Sequence, residues 1–174
     1  LISIVACTAG GWAALAQAAP PITVTSKTAA DGPIKYTVKI VSRTYGNAQD
    51  TRTIRSGQTD DYTWKTTPPG GAVTASDQCP NYGSLSLDAN GAVQREVRIR
   101  LAPTVAEDGM ATVQMSVQAS TPRGKSAAKV HGKTLQCPSV ATLSQVVRFT
   151  MPTSGTAKTV DLSDGSHVTV SAQR

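Results

Sequence analysis

Apolar and polar residues alternate strictly through much of this chain. In Ile34-Lys35-Tyr36-Thr37-Val38-Lys39-Ile40 the even positions are apolar and the odd ones polar. The same period returns in Val97-Arg98-Ile99-Arg100-Leu101, in Ala111–Ala119 and in Val147-Arg148-Phe149-Thr150-Met151. Side chains of a strand point alternately to its two faces, so this period predicts strands with one face on a core and one in water. Beyond Ile22 no segment sustains a helical period over the ten or so residues a helix needs. The pattern predicts eight strands, near 22–27, 34–43, 51–56, 61–66, 84–88, 92–101, 111–120 and 144–151, followed by a closing pair at 157–162 and 167–172. The stretches 67–71 and 77–83 read as inter-sheet connections.

Two hairpins can be registered from the same alternation. Leu87 and Val93 share a face only if Ala89-Asn90-Gly91 forms a three-residue loop; a two-residue Asn-Gly turn would set Leu87 against Gln94. Likewise Ser163-Asp164-Gly165 sets Val160 against Val168. Both solutions put a glycine where φ must be positive. Short strands at this spacing predict an all-β, antiparallel two-sheet sandwich of immunoglobulin-like kind in one domain, with an antiparallel barrel as the alternative. The Trp that marks true immunoglobulin domains is displaced: Trp64 precedes both mature cysteines.

The N-terminus changes the picture. Residues 1–18 hold no charged side chain and end on Ala16-Gln17-Ala18, the pattern of a signal peptide. Removal would leave residues 19–174 as the mature domain. Ile4-Val5-Ala6-Cys7 also resembles a lipobox, so lipid anchoring at Cys7 stands as the second processing route, placing the protein at the outer membrane rather than free in the periplasm or outside the cell. Cys79 and Cys137 then remain as an even pair in an oxidising compartment, and read as a disulfide. There is no C-x-x-C motif, which disfavours thiol redox chemistry.

Candidate chemistry is sparse. His131 and His167, the only histidines, have no ligand partners at metal spacing, so the sequence points to no metal site and no cofactor. No nucleophile motif is legible, and the adjacent Asp60 and Asp61 point to opposite strand faces, unlike a glycosidase pair. Tyr62 and Trp64 share a face, either as a sugar platform or as core filling; in a chain with 4% aromatics the core reading takes precedence. The expectation is a protein that is not an enzyme.

Cations are the informative side chains. The net charge is +6. Arg123, Lys125, Lys129, His131 and Lys133 fall within eleven residues that contain no acid. Lys35, Lys39 and Arg43 share one strand face by parity, as do Arg98 and Arg100; if those strands are neighbours, one outer face carries a positive patch. These residues are the candidate binding set, for an anionic envelope component or another protein. Nothing specific points to nucleic acid, and the plain alternative is a solubilising surface.

The Cys79-Pro80 and Cys137-Pro138 pairs, Phe149-Thr150-Met151-Pro152 and the Val160–Val170 hairpin resemble those of an uncharacterised family of small exported proteobacterial proteins. Such a family implies export and supplies no activity or site. The extended Ile22-Thr23-Val24-Thr25 is similar to the N-terminal strand of chaperone–usher pilus subunits, but the closing Ser171-Ala172-Gln173-Arg174 lacks their penultimate aromatic. A non-enzymatic periplasmic or secreted binding domain is therefore the expectation, with a structural subunit of a surface fibre or envelope assembly as the alternative.

Overall fold

Alternation becomes two antiparallel sheets in the computed structural model, which describes residues 32–174. The expected signal peptide at 1–18, Cys7 and the expected strand at 22–27 lie outside the described residues. The first sheet contains β1 (Ile34–Val41), β2 (Ala48–Ile54), β9 (Ser154–Asp161) and β10 (His167–Gln173), in the order β2-β1-β10-β9. The second contains β3 (Asp60–Thr66), β6 (Arg95–Val105), β7 (Met110–Val130) and β8 (Lys133–Pro152), in the order β3-β6-β7-β8. A separate two-stranded ribbon pairs β4 (Val73–Thr74) with β5 (Ala92–Val93).

The core is made by the apolar positions of each alternating run. Ile34, Tyr36, Val38 and Ile40 of β1 and Val168, Val170 and Ala172 of β10 are buried against Val97, Ile99 and Leu101 of β6 and Val113, Met115 and Val117 of β7. Tyr62 is the largest core side chain from β3, and its hydroxyl donates to the Tyr36 carbonyl at 2.9 Å, joining the sheets. Trp64 is only half-buried and stacks on Tyr62 with ring centroids 6.1 Å apart. The aromatic pair thus faces inward, with Tyr62 rather than Trp64 as the deep residue.

The sandwich holds, but the strands do not follow the immunoglobulin order, in which strands exchange between sheets. Within each sheet neighbours in space are neighbours in sequence, except β1 with β10 and β3 with β6. Short turns join the other pairs, and among the described residues the main chain passes between the two sandwich sheets at only two places, residues 55–59 and Thr153. The first crossing is tied to β6 by Gly57 N–H to the Pro103 carbonyl, 2.8 Å, and by Val105 N–H to Ser56 Oγ, 2.9 Å. At the second, the Thr153 hydroxyl donates to the Gly109 carbonyl at 2.9 Å.

Three expectations for individual segments need correction. Residues 84–88 do not form a strand: a 3₁₀ turn occupies Tyr82–Ser84, and Leu87 makes only an isolated bridge to Val93. The 67–71 and 77–83 stretches do not cross between the two sandwich sheets: they lead into and through the β4–β5 ribbon, and the chain returns to β6, the direct neighbour of β3 in the second sheet. Strands β7 and β8 run far beyond the 111–120 and 144–151 boundaries.

Both registered hairpins stand as expected, with Leu87 opposite Val93 and Val160 opposite Val168. A third, Glu107-Asp108-Gly109, repeats the design: Ala106 N–H donates to the Met110 carbonyl at 2.9 Å, and Gly109 has φ +81°. At each turn an Asp carboxylate oxygen accepts a backbone N–H two residues on, Asp108 and Asp164 standing within their loops and Asp88 just before its own. Gly165 has φ +81°, and a Cβ there would meet nothing within 4 Å. Gly165→Ala therefore isolates backbone strain, and is expected to cost about 1 kcal/mol in denaturant unfolding. Gly83→Ala, equally open but without a positive φ, is the control and should be neutral or slightly stabilising.

Candidate functional site

The cations separate into three groups. Lys35 and Lys39 sit on the outer face of the first sheet, beside hydroxyl pairs such as Thr37–Thr51 at 2.8 Å and Thr159–Thr169 at 3.1 Å. Arg43 lies past the end of β1, in the turn. Arg98 and Arg100 are on the outer face of the second sheet, since the alternate residues Val97, Ile99 and Leu101 fill the core. Strands β1 and β6 belong to opposite sheets, so the single patch that required them to be neighbours does not form.

Ion pairing divides them further. The Arg100 guanidinium donates two hydrogen bonds to the Asp61 carboxylate, at 2.7 and 2.9 Å. That bidentate contact holds the Asp61 carboxyl below the ordinary carboxylate range. Arg98 and Lys65 share Glu96 at 3.7 and 3.8 Å, distances of loose surface pairs. Asp60 turns instead to Arg52, at 3.4 Å.

Arg123, Lys125, Lys129, His131 and Lys133 belong to an arm. Pairing of β6 with β7 ends at Glu96 opposite Ser120, whereas β7 and β8 continue together to Val130 opposite Lys133. A bulge between Pro122 and Lys125 marks the departure. The tip is a two-residue turn, His131-Gly132, with φ of 49° and 79°, the primed geometry that matches strand twist. Beyond the sheet, two strands alone are marginally stable. A covalent brace compensates: Cys79 and Cys137 form a disulfide with Cα atoms 5.7 Å apart, as the cysteine count anticipated. Beside it Asn81 Nδ2 donates to the Pro138 carbonyl at 3.0 Å. Both contacts fasten the 75–91 loop to the middle of the arm. The four cations of the arm are exposed, and among the described residues none is in an ion pair.

The arm has two dissimilar sides. Cross-strand partners share a side, so Lys125, Ala127 and Lys129 lie with Pro138, Gln136 and Thr134. The other side carries Ala128, Val130, Leu135 and Cys137, which are half-buried or buried, together with the exposed Ser126 and, next to the tip, Lys133. Parity along β8 places the Lys125/Lys129 side in continuation of the second sheet's outer face.

That outer face holds three shallow depressions in file. The first, about 280 Å³, is lined by Thr112, Gln114 and Arg148, whose Nη2 donates to Gln114 Oε1 at 2.7 Å. The second, about 240 Å³, lies among Arg98, Arg100, Ser116 and Gln118. The third, about 290 Å³, includes Glu96, Ser120, Thr142 and Ser144 and opens toward the arm. Arg148 was visible in the alternation of 147–151, but only the register of β7 on β8 aligns it with Arg98.

A family model described as a family of unknown function, DUF6013, matches residues 1–174. The chain belongs to that family. The match agrees with the resemblance to an uncharacterised family drawn from the Cys-Pro pairs. No curated protein and no solved structure matches it. In this DUF6013 member the two histidines lie apart from each other: His167 Nδ1 is 2.6 Å from Asp161 Oδ1 on the first sheet, and His131 is at the tip of the cationic arm. Among the described residues no three of His, Cys, Asp and Glu gather as a metal set, and no helix is long and apolar enough to cross a membrane.

Proposed function

We propose that this chain is a non-enzymatic binding domain of an exported protein, and that it holds an anionic partner through the β7–β8 arm. A disulfide points to an oxidising compartment, consistent with the periplasm or the cell exterior. The observation that carries the reading is the arm itself: four cations, unpaired among the described residues, on a covalently braced projection with no acid between 123 and 133. A solubilising surface has no need of a rigid mount, whereas a binding element gains from one because less ordering entropy is lost on association.

The test is binding of the full chain to polygalacturonate and to phosphatidylglycerol vesicles at low and raised salt. At roughly 0.5–1 kcal/mol for each exposed cation, the Lys125→Gln/Lys129→Gln/Lys133→Gln variant should bind about thirtyfold more weakly. Binding should also weaken as salt screens the contact. Equal binding by wild type and variant would sink the reading.

A structural subunit of a fibre or envelope assembly would need a sheet edge ready to accept a strand. Strand β9 has such an edge, with Ser154–Thr159 exposed. However, Lys158 stands opposite the buried Val170, at an inward-facing position. A charge there guards an edge against pairing, which favours the binding reading over the fibre reading.

A further inference from the structure

We propose that the outer face of the second sheet, continued by the arm, is a linear track for an extended acidic polysaccharide. This rests on the reading that the partner is anionic, and it names the class of partner and the path it takes. Four cations mark the path: Arg148, then Arg98, then Lys125 and Lys129 on the outer side of the arm. In the register of β8 they fall at rows 148, 144, 138 and 134, a span of about 45 Å at roughly 3.3 Å per residue. The three depressions lie end to end beneath the first half of that span.

The lining selects among polyanions. Between the cations the floor is mainly hydroxyl and amide, including Gln114, Gln118 and Ser144, groups that both donate and accept hydrogen bonds as sugar hydroxyls require, and the carboxylates beside it, Glu96 and Asp61, are each engaged by a cation. Single-stranded nucleic acid is gripped by aromatic side chains, and both Tyr62 and Trp64 face inward. An anionic membrane favours a cluster of apolar side chains that insert beside the cations, and on this face the large apolar residues standing out among the described residues are Val146, 63% exposed, and Met110, 38% exposed and opposite Pro152, six rows away along β8. A file of charges over a polar floor matches a polymer whose own charges recur along its length.

The experiment titrates the full chain with oligogalacturonates and sulfated dextran oligomers of increasing length, using neutral dextran as control. Affinity for one or both acidic series should climb with length, and neutral dextran should not bind. Arg98→Gln/Arg148→Gln should weaken the longest oligomers about tenfold and flatten the dependence on length, with the unfolding midpoint unchanged. Acidic oligomers bound with no length dependence, or bound equally by that variant, overturn the track while the arm reading survives if the triple lysine variant still loses binding. Binding confined to anionic vesicles and insensitive to Arg98 and Arg148 also overturns it, in favour of a membrane partner for the arm. No binding to any polyanion removes both proposals.

Discussion

Replacing both Cys79 and Cys137 with serine is expected to lower stability by about 4 kcal/mol, the loop-closure value for the 58 residues the bridge spans. The bridge restricts the unfolded chain, so its loss acts on a state that no contact in the fold describes. It also joins the two regions with least access to the core. The 75–91 loop contributes only a 3₁₀ turn and the isolated Leu87 bridge, and the arm has no third strand beyond Ser120. Without the bridge, Asn81 to Pro138 is the remaining side-chain hydrogen bond from that loop to the arm. Part of the loss should therefore be local. Hydrogen exchange should show the amides of 123–139 opening at a small fraction of the global free energy, while Val97–Leu101 and Val113–Val117 retain protection. Denaturant titration with and without reductant gives the total. A midpoint unmoved by reduction would mean that the loop and arm are held by packing alone.

The same distinction governs what the sequence made legible. Segments with one face on the core carry a period of two, so β1, β6, the first half of β7 and the C-terminal hairpin could be read directly. The three-residue turns could be read too, because a wrong loop length would have placed Leu87 against Gln94. The arm escaped because neither of its sides is a core: Lys125-Ser126-Ala127-Ala128 has no apolar period, and its strand character comes from pairing with 134–138. The excursion between β3 and β6 escaped for the opposite reason. Leu85 and Leu87 look like a strand, but their burial comes from a loop folded under the arm and not from a ladder. Candidate cations were all identifiable as residues, yet their grouping depends on sheet order, which parity within a strand does not encode. Lys35 and Arg98 have the same outward parity and stand on opposite faces of the sandwich.

Ile99→Ala is expected to cost about 3–4 kcal/mol, whereas Arg98→Gln, one residue away, should stay within about 0.5 kcal/mol of wild type. Ile99 is fully buried, paired with Tyr62 on one side and Val117 on the other. Truncation removes three carbons from a site that cannot collapse, since both neighbouring strands are fixed by their ladders. The loss therefore includes a cavity as well as the transfer free energy of the side chain. Arg98 leaves behind only a loose pair with Glu96 at 3.7 Å in a solvated position. Urea unfolding of the two variants, set beside their binding to acidic oligomers, separates the two faces of one strand. Ile99→Ala should lose stability but bind normally at temperatures where it remains folded. Arg98→Gln should keep its stability and lose affinity. If Arg98→Gln instead unfolds early, the outer face of the second sheet is part of what holds the sandwich together, and its cations are no longer free to be assigned to a ligand.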